Sequence, residues 1–193
     1  MADGTFGGDQ DFSDEALIRK CNTNLANEFG NLCQRTLTLA YKNCDQCIPI
    51  KKSALLKADE TLLEASRNLE VTTGEAIAHQ ALHKYAQAMV AMVWDANKYI
   101  DEMAPWALRK SDPDRMSTVL YVLLETIRRI AILYQPIIPS ASNRVLDLLS
   151  IPNDERTFDA LSASPLREGS TICKPVGVFP RIDVPELLQT KNS

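Results

Sequence analysis

The sequence lacks the features that mark membrane-spanning, secreted and strongly basic proteins. It has no run of about 18 apolar residues, so no transmembrane helix is predicted. Its N-terminus lacks the apolar stretch of a secretory signal. Lysine and arginine number 21 against 25 acidic residues, a net charge of −4, whereas a general nucleic-acid binder usually carries a basic excess. We therefore expect no membrane partner, and any nucleic acid must meet a small local site.

Residues and motifs of common catalytic and metal sites are also scarce. The chain has no Gly-rich phosphate loop, no His-Glu-x-x-His helix and no nucleophile elbow. Its two histidines, His79 and His83, are four residues apart, and the pattern places them on one helix face in line with Glu75. No further ligands cluster with them, and such spacing is common on helix surfaces. We predict no metal site and no catalytic residue.

The five cysteines are an odd number in a chain too long to need disulfides, which favours reduced thiols. A cytoplasmic location is predicted on this basis, with an organelle as the alternative. Cys44 and Cys47 form a single C-x-x-C pair, whereas a zinc site would normally need a second pair and a redox motif a βαβ setting. They are interpreted as ordinary loop thiols, and a thiol redox protein is the least favoured alternative.

What the chain does have is helical periodicity. A long first helix is predicted over residues 14–41, capped by Ser13 and carrying an apolar stripe at three- and four-residue steps. Gly30 interrupts this helix at a cost of roughly 1 kcal/mol relative to alanine. We expect that another helix approaches closely at this glycine.

Helical patterning resumes at residue 58 and continues to residue 103, which is too long for one helix in a compact domain. A break is expected either at residues 72–74, where Thr73 could cap a new helix, or at residues 80–83, and the pattern does not decide between them. Trp94 falls in the middle of this stretch and is predicted to lie in the core.

The second half of the chain shows clear helix boundaries. Pro105 ends the helix before it, and Asp112 with Pro113 provides a cap and a first helical position. The helix that follows, residues 114–134, is the most apolar and is predicted to be central. Shorter helices are predicted over residues 140–149 and 155–161.

These elements predict an all-α fold, a bundle of about five helices with a short irregular or extended C-terminal tail. The expected organisation is a flexible leader (1–12), a helical domain (13–161) and a tail (162–193). In the tail, Val176, Val178 and Phe179 are expected to form a short extended segment. This tail packs back either on the bundle or on a further domain.

Two sets of polar and aromatic residues are candidates for binding. Asn27, Asn31 and Arg35 recur at four-residue steps and so share one face of the first helix. Amides and guanidinium groups can read the edges of nucleic-acid bases, although a solvated helix face has the same pattern. Trp106 follows a helix-ending Pro105, and it is either a core plug or an exposed platform on which a base can stack.

An ordered set of stretches resembles methionyl-tRNA synthetases, in the anticodon-binding domain that follows their catalytic domain. The stretches are residues 11–17 with 24–35, then 96–106 ending in Ala-Pro-Trp, 120–133, 136–139 and 178–183. The resemblance implies that Asn31 and Arg35 contact the anticodon and that Trp106 stacks beneath its first base. Asn27 is a weaker neighbour of this set.

The resemblance also implies partners, which are the anticodon loop (CAU) of a methionine tRNA and the catalytic domain of the same synthetase. The two ATP-binding motifs of these ligases are absent from this sequence. We therefore expect no enzyme activity and no cofactor in this chain, with ATP and methionine bound by the catalytic domain. The alternatives are the anticodon domain of a related class I synthetase and a helical protein–protein interaction module that binds no RNA.

Overall fold

The computed structural model describes residues 21–179, without the side chains of residues 21–24 and 26. The predicted leader (1–12), the Ser13 cap, the start of the first helix and the end of the tail (180–193) lie outside the described residues.

The described part of the chain is a bundle of helices. The first helix is π-helical over Cys21–Gly30 and α-helical over Asn31–Asn43 (α1). The remaining helices are α2 (Lys57–Ala78), α3 (Leu82–Met103), α4 (Pro105–Ser111), α5 (Pro113–Tyr134), α6 (Pro139–Leu148), a 3₁₀ turn (Asn153–Glu155) and α7 (Ala160–Ala163). Between residues 21 and 179 the β structure amounts to one isolated bridge, Cys47 to Thr171. The all-α prediction is confirmed.

Helix α5 is the centre of the bundle, as its apolar sequence predicted. Every residue from Arg115 to Tyr134 is buried, and α1, α2, α3, α4 and α6 all pack against it. Asp112 caps the helix by accepting a hydrogen bond from the Arg115 backbone N–H at 3.0 Å, and Pro113 takes the first helical position.

The long stretch after residue 57 breaks between Ala78 and Leu82, which is the second of the two predicted positions. Gln80 adopts a φ of 55°, and the N–H of Ala81 closes the end of α2 on the carbonyl of Ala76 at 2.8 Å. Thr73 caps no helix, because its hydroxyl donates back to the Leu69 carbonyl inside α2. His79 therefore lies just past the end of α2, whereas His83 lies in the first turn of α3, and the interpretation that they share one helix face is wrong.

Trp94 is not in the core, contrary to the prediction. Its side chain is 68% exposed, whereas Val93 beside it is buried. The buried stripe of α3 runs through Met89, Val93, Ala96 and Ile100, so Trp94 lies one residue off that stripe. An α-helix turns about 100° per residue, and a neighbour of a buried position can therefore face solvent.

The end of the described chain also differs in detail. The helix predicted over residues 155–161 is wrong, because a 3₁₀ turn and the four-residue α7 occupy this region. Leu166, Ile172 and Val178 are buried against the bundle while Val176 is exposed. Gly30 is approached by this tail, not by another helix, since a Cβ there would lie 3.2 Å from the Phe179 ring.

Candidate nucleic-acid interface

Trp106 is presented by a sharp reversal between α3 and α4. Ala104 ends α3 in the left-handed conformation, with φ 42° and ψ 57°, and Pro105 is the first residue of α4. A left-handed non-glycine residue costs about 1–2 kcal/mol, so the surrounding packing must hold this corner. Pro105 is buried while Trp106 remains 44% exposed. Of the two interpretations, the exposed ring matches the structure and the core plug does not.

Arg35 on α1 lies against this ring. The carbon of its guanidinium group is 5.1 Å from the centroid of the Trp106 ring, within the range of a cation–π contact. The same group donates from Nη2 to Oδ1 of Asp101 on α3 at 2.8 Å. Asp101 could not be predicted from the sequence, because nothing in the pattern pairs it with a residue 66 positions earlier.

Asn27 and Asn31 lie in a separate cleft beside this pair. Together with Gly30 and Gln34 of the first helix they face Gly177, Val178 and Phe179 of the tail across a cavity of about 480 Å³. The structure thus divides the four candidate residues into two groups, Arg35 with Trp106 and Asn27 with Asn31. Asn31 and Arg35 are about one helical turn apart, roughly 6 Å along the axis, so the two groups adjoin.

The first helix and α3 are fixed to each other beside these groups. The Asn97 amide donates to the backbone carbonyl of Glu28 at 3.3 Å and to the carbonyl of Val93 at 3.0 Å. This contact holds the two helices in register, so that Arg35 meets Asp101 and Trp106. Asn97 belongs to a stretch that carries the resemblance, but nothing in its spacing indicates a contact with the first helix.

The charge around Trp106 is mixed. Arg109 and Lys110 are exposed in the last turn of α4, on the same short helix as the ring. Asp101 and Glu102 are exposed at the end of α3. A polyanion approaching Trp106 would thus meet three cations, counting Arg35, beside two carboxylates.

The other candidates from the sequence are not assembled into metal or catalytic sites. Cys44 and Cys47 flank a tight turn in which the N–H of Cys47 donates to the carbonyl of Cys44. Burial raises the pKa of the Cys44 thiol, which disfavours the reactive thiolate. Over residues 21–179 there is no group of three or more His, Cys, Asp or Glu side chains that could hold a metal ion. No helix in that range has both the length and the apolarity needed to cross a membrane.

Comparison with known proteins places this helical bundle among the anticodon-binding domains of tRNA ligases. Residues 50–190 match the family described as the anticodon binding domain of methionyl tRNA ligase. The chain belongs to this family, and the resemblance seen in the sequence is confirmed.

Individual relatives agree with this assignment. The chain is 42% identical to a methionine–tRNA ligase of Brucella suis over 181 residues, and 39% identical to one of Rhizobium meliloti over 183 residues. In each case the match covers 94% of this chain but only 35% of the relative. The chain therefore spans about a third of the length of these ligases.

Solved structures show the same fold. The apo methionyl-tRNA synthetase of Mycobacterium tuberculosis is 39% identical, with a TM-score of 0.90 over 94% of this chain and 37% of that one. The same enzyme in complex with methionyl-adenylate gives a TM-score of 0.88 over 92% of this chain and 35% of that one.

Proposed function

We propose that this domain reads the anticodon, CAU, of a methionine tRNA as part of a methionine–tRNA ligase. The first anticodon base unstacks and lies on the ring of Trp106, and Arg35 and Asn31 read its polar edge. The observation that carries the proposal is an exposed tryptophan with a guanidinium group 5.1 Å from its ring, in a domain of this family.

The chemistry of a cytosine suits these two side chains. Its pairing edge offers two acceptors, N3 and O2, and one donor, the N4 amine. The Arg35 guanidinium can donate to the acceptors, and the Asn31 carbonyl can accept from the amine. The ion pair between Arg35 and Asp101 must break before Arg35 can contact the base. An exposed ion pair contributes only about 0–1 kcal/mol, so breaking it costs little.

Two energies combine in this readout. Stacking a base on an aromatic side chain contributes about 1–3 kcal/mol, and a good bidentate contact adds about 1–3 kcal/mol of discrimination. These contacts distinguish anticodons but give limited affinity, since the net charge of the chain is −4. We expect weak binding by this domain alone, with the remaining affinity supplied by the catalytic domain, which would also bind ATP and methionine. We propose a cytoplasmic location for this role, with an organelle as the alternative.

A fluorescence titration tests the proposal. The chain has two tryptophans, and both are exposed, so Trp94→Phe is introduced first to make Trp106 the only reporter. An RNA stem-loop with CAU in its loop should quench the fluorescence and saturate, whereas a UAU loop, which lacks the N4 amine, should bind more weakly. Binding by Trp106→Ala is measured with a labelled RNA, because this variant has lost the reporter. Its binding free energy should weaken by about 1–3 kcal/mol, roughly 5- to 150-fold in Kd.

The controls separate binding from folding. Thermal unfolding of Trp106→Ala should stay close to that of the parent, because the ring is exposed. Equal binding of CAU and UAU loops would contradict anticodon reading. No binding of either loop at high concentration would favour the protein–protein interaction module instead.

A further inference from the structure

Cys44 and Cys47 lie at the two ends of a tight turn that joins α1 to the loop after it. The N–H of Cys47 donates to the carbonyl of Cys44 at 2.9 Å, and the two residues between them are left-handed, with φ 53° at Asp45 and 60° at Gln46. Positive φ at both central positions is typical of a type I′ turn. The α-carbons at the ends of a β-turn are less than about 7 Å apart, and a disulfide needs a separation of about 4.4–6.8 Å. The turn therefore brings the two cysteines within the range of a disulfide.

Contacts on both sides hold this turn in its left-handed form. Cys44 closes the end of α1 with its N–H, which donates at 2.8 Å to a carbonyl one turn earlier. On the other side, the carbonyl of Gln46 accepts from the N–H of Ile172 at 2.9 Å, and Cys47 forms an isolated bridge with Thr171. A left-handed conformation is unfavourable for a residue such as glutamine, so the fold must maintain it. The distance between the two cysteines is thus fixed by the tail as well as by the turn.

The two thiols have different surroundings. Burial raises the pKa of the Cys44 thiol, and the neighbouring Ser117 side chain offsets only part of this effect. Cys47 donates from Sγ to the Asp45 carbonyl at 3.3 Å, in a contact that is exposed. Because the thiolate is the attacking form of a cysteine, Cys47 is the thiol that reacts first with a disulfide from solvent. Cys44 is held beside it as the second thiol.

A cavity of about 240 Å³ is lined by both cysteines. It lies between the end of α1 and the first turns of α5, and Ile48, Pro49 and Met116 supply part of its apolar wall. Small-molecule sites usually measure about 300–1,000 Å³, so this cavity leaves room for a side chain to rotate but not for a bound peptide-sized thiol. An adduct on Cys47 would therefore stay outside, where a second thiol can displace it.

We infer that Cys44 and Cys47 form a reversible thiol–disulfide site that is oxidised by low-molecular-weight disulfides of the glutathione type. The Cys47 thiolate attacks one sulfur of the disulfide, whose S–S bond breaks, and one small thiol leaves. Cys44 then attacks the Cys47 sulfur of the mixed disulfide and expels the second small thiol. Two protein thiols are oxidised to one disulfide, the small disulfide is reduced to two thiols, and these take up the two protons that the cysteines lose.

The pair protects the chain from lasting modification of an exposed cysteine. A single thiol would keep a bulky adduct or be oxidised irreversibly to sulfinic and sulfonic acids, whereas a second thiol converts it to a disulfide that cellular thiols reduce. The sequence favoured ordinary loop thiols, because one C-x-x-C pair without a βαβ setting matches no catalytic redox motif. A protective disulfide needs only the turn. The inference does not rest on the proposed function, since neither cysteine is among the residues proposed to read the anticodon.

Mass spectrometry of one peptide tests the inference. Trypsin cleaves after Lys42 and Lys51, and the peptide between these sites, residues 43–51, contains Cys44, Cys47 and no other cysteine. The folded chain is treated with oxidised glutathione, and the remaining free thiols are alkylated. We expect this peptide to escape alkylation and to be two hydrogens lighter than its dithiol form, and reduced glutathione should reverse the change. Cys44→Ser should instead retain one glutathione on Cys47, because no second thiol displaces it.

Three controls make the result specific. In the folded protein, Cys47→Ser should acquire glutathione more slowly than Cys44→Ser, and in urea the two variants should react alike, since their difference comes from burial. Cys173→Ala removes an exposed cysteine outside the turn and should leave the result for peptide 43–51 unchanged. The oxidised parent should have a higher thermal midpoint than the reduced parent, because a cross-link that fits the folded turn restricts the unfolded chain.

Three outcomes would overturn the inference. A glutathione adduct that persists on Cys47 of the parent would mean that the turn does not bring Cys44 within reach. A parent peptide that stays fully alkylated would mean that neither thiol reacts in the folded chain. A lower thermal midpoint after oxidation would mean that the disulfide strains the turn instead of fitting it.

Discussion

At the scale of single residues, Arg35 is the side chain on which the interface depends. It contacts Asp101 through an ion pair and Trp106 through its guanidinium face, so its position is set before any RNA arrives. The pair with Asp101 is exposed, and such a pair adds little to stability. The Asp101 carboxylate instead competes with RNA, because a base must displace it to accept hydrogen bonds from Arg35.

Replacing Asp101 by Asn should therefore strengthen stem-loop binding. The change removes a negative charge and frees the Arg35 guanidinium, and the gain is bounded by the value of an exposed pair, at most about 1 kcal/mol or roughly fivefold in Kd. Kd for the CAU loop, measured with the Trp94→Phe protein, checks this, and the thermal midpoint should hardly move.

Glu102→Gln is the matched control for this charge change. Glu102 is also exposed at the end of α3, but it pairs with Lys98 at 3.9 Å and not with Arg35. It should give a smaller increase in affinity. Weaker binding by Asp101→Asn would show instead that Asp101 is needed to hold Arg35 over the ring.

At the scale of elements, a buried charge cluster joins α2, α3 and α5. Asp59 is fully buried and accepts two hydrogen bonds from Arg115, at 2.6 and 2.7 Å, and one from the Tyr99 hydroxyl at 2.5 Å. Burial alone would raise the pKa of Asp59, but the hydrogen bonds from Arg115, Tyr99 and the Leu56 N–H outweigh it and hold the pKa below its usual value. The carboxylate is thus stabilised in its charged form.

This cluster makes stability dependent on acid pH. A carboxyl group with a lowered folded-state pKa contributes stability above its unfolded value, about 3.9, and loses it as pH falls through the folded value. The thermal midpoint should therefore decrease once the pH is lowered below about 4. Asp59→Asn should destabilise the protein by about 3–5 kcal/mol at neutral pH, because Arg115 stays buried without its partner. It should also flatten the acid slope.

Thermal unfolding at a series of pH values distinguishes this cluster from surface groups. Asp101→Asn removes an exposed carboxylate and should leave the acid slope nearly unchanged. If Asp59→Asn and its parent lose stability along the same slope, acid sensitivity comes from other carboxylates and this assignment is wrong.

The helices could be predicted from sequence because their boundaries have local chemical causes. Asp112 and Pro113 start α5, and a continuous apolar pattern makes it central. The exposure of Trp94 could not be predicted in this way, since only the position of the packing partners decides which neighbour of a buried residue faces solvent. Short elements such as α4 and α7 depend on tertiary contacts, because isolated helices of this length are unstable in water.

The candidate residues were predictable in type but not in arrangement. The spacing of Asn31 and Arg35 is local, and so it could be read directly. Their division between the Trp106 ring and the cleft that Asn27 and Asn31 line with the tail depends on Asp101 and on Phe179, which are far away in the chain. No periodicity contains that information, and so neither the contact of Arg35 with Asp101 nor the place of Phe179 beside Asn31 could be predicted.

At the scale of the whole molecule, the central helix fixes the tail that completes the cleft beside Asn27 and Asn31. Arg128 is fully buried, pairs with Glu125 at 2.7 Å and donates to the Leu161 carbonyl at 3.1 Å. Glu125 in turn accepts the Leu166 N–H at 3.0 Å. These contacts anchor the chain where it leaves α7, and residues 177–179 then reach the first helix. At the other end of this segment the Arg144 side chain donates to the Val178 carbonyl at 2.9 Å. The cleft thus depends on contacts at both ends.

The distribution of charge over the molecule predicts how binding responds to salt. The net charge is −4, and the cations next to Trp106 are Arg35, Arg109 and Lys110. For a single-stranded loop, log K falls with log salt with a slope of about −0.7 for each phosphate neutralised. If these three cations each neutralise one phosphate at most, the slope should be no steeper than about −2. Titrations of the CAU loop over a range of salt concentrations measure it.

A variant pair assigns this slope to α4. The double variant Arg109→Gln with Lys110→Gln should have a slope no steeper than about −0.7, because at most Arg35 remains to neutralise a phosphate. Its preference for CAU over UAU should be unchanged. The two properties separate because phosphate contacts add affinity to every sequence alike, whereas contacts with base edges distinguish one sequence from another. A slope near −5 in the parent would require phosphate contacts on a larger basic surface, and the loop would then lie elsewhere than on Trp106.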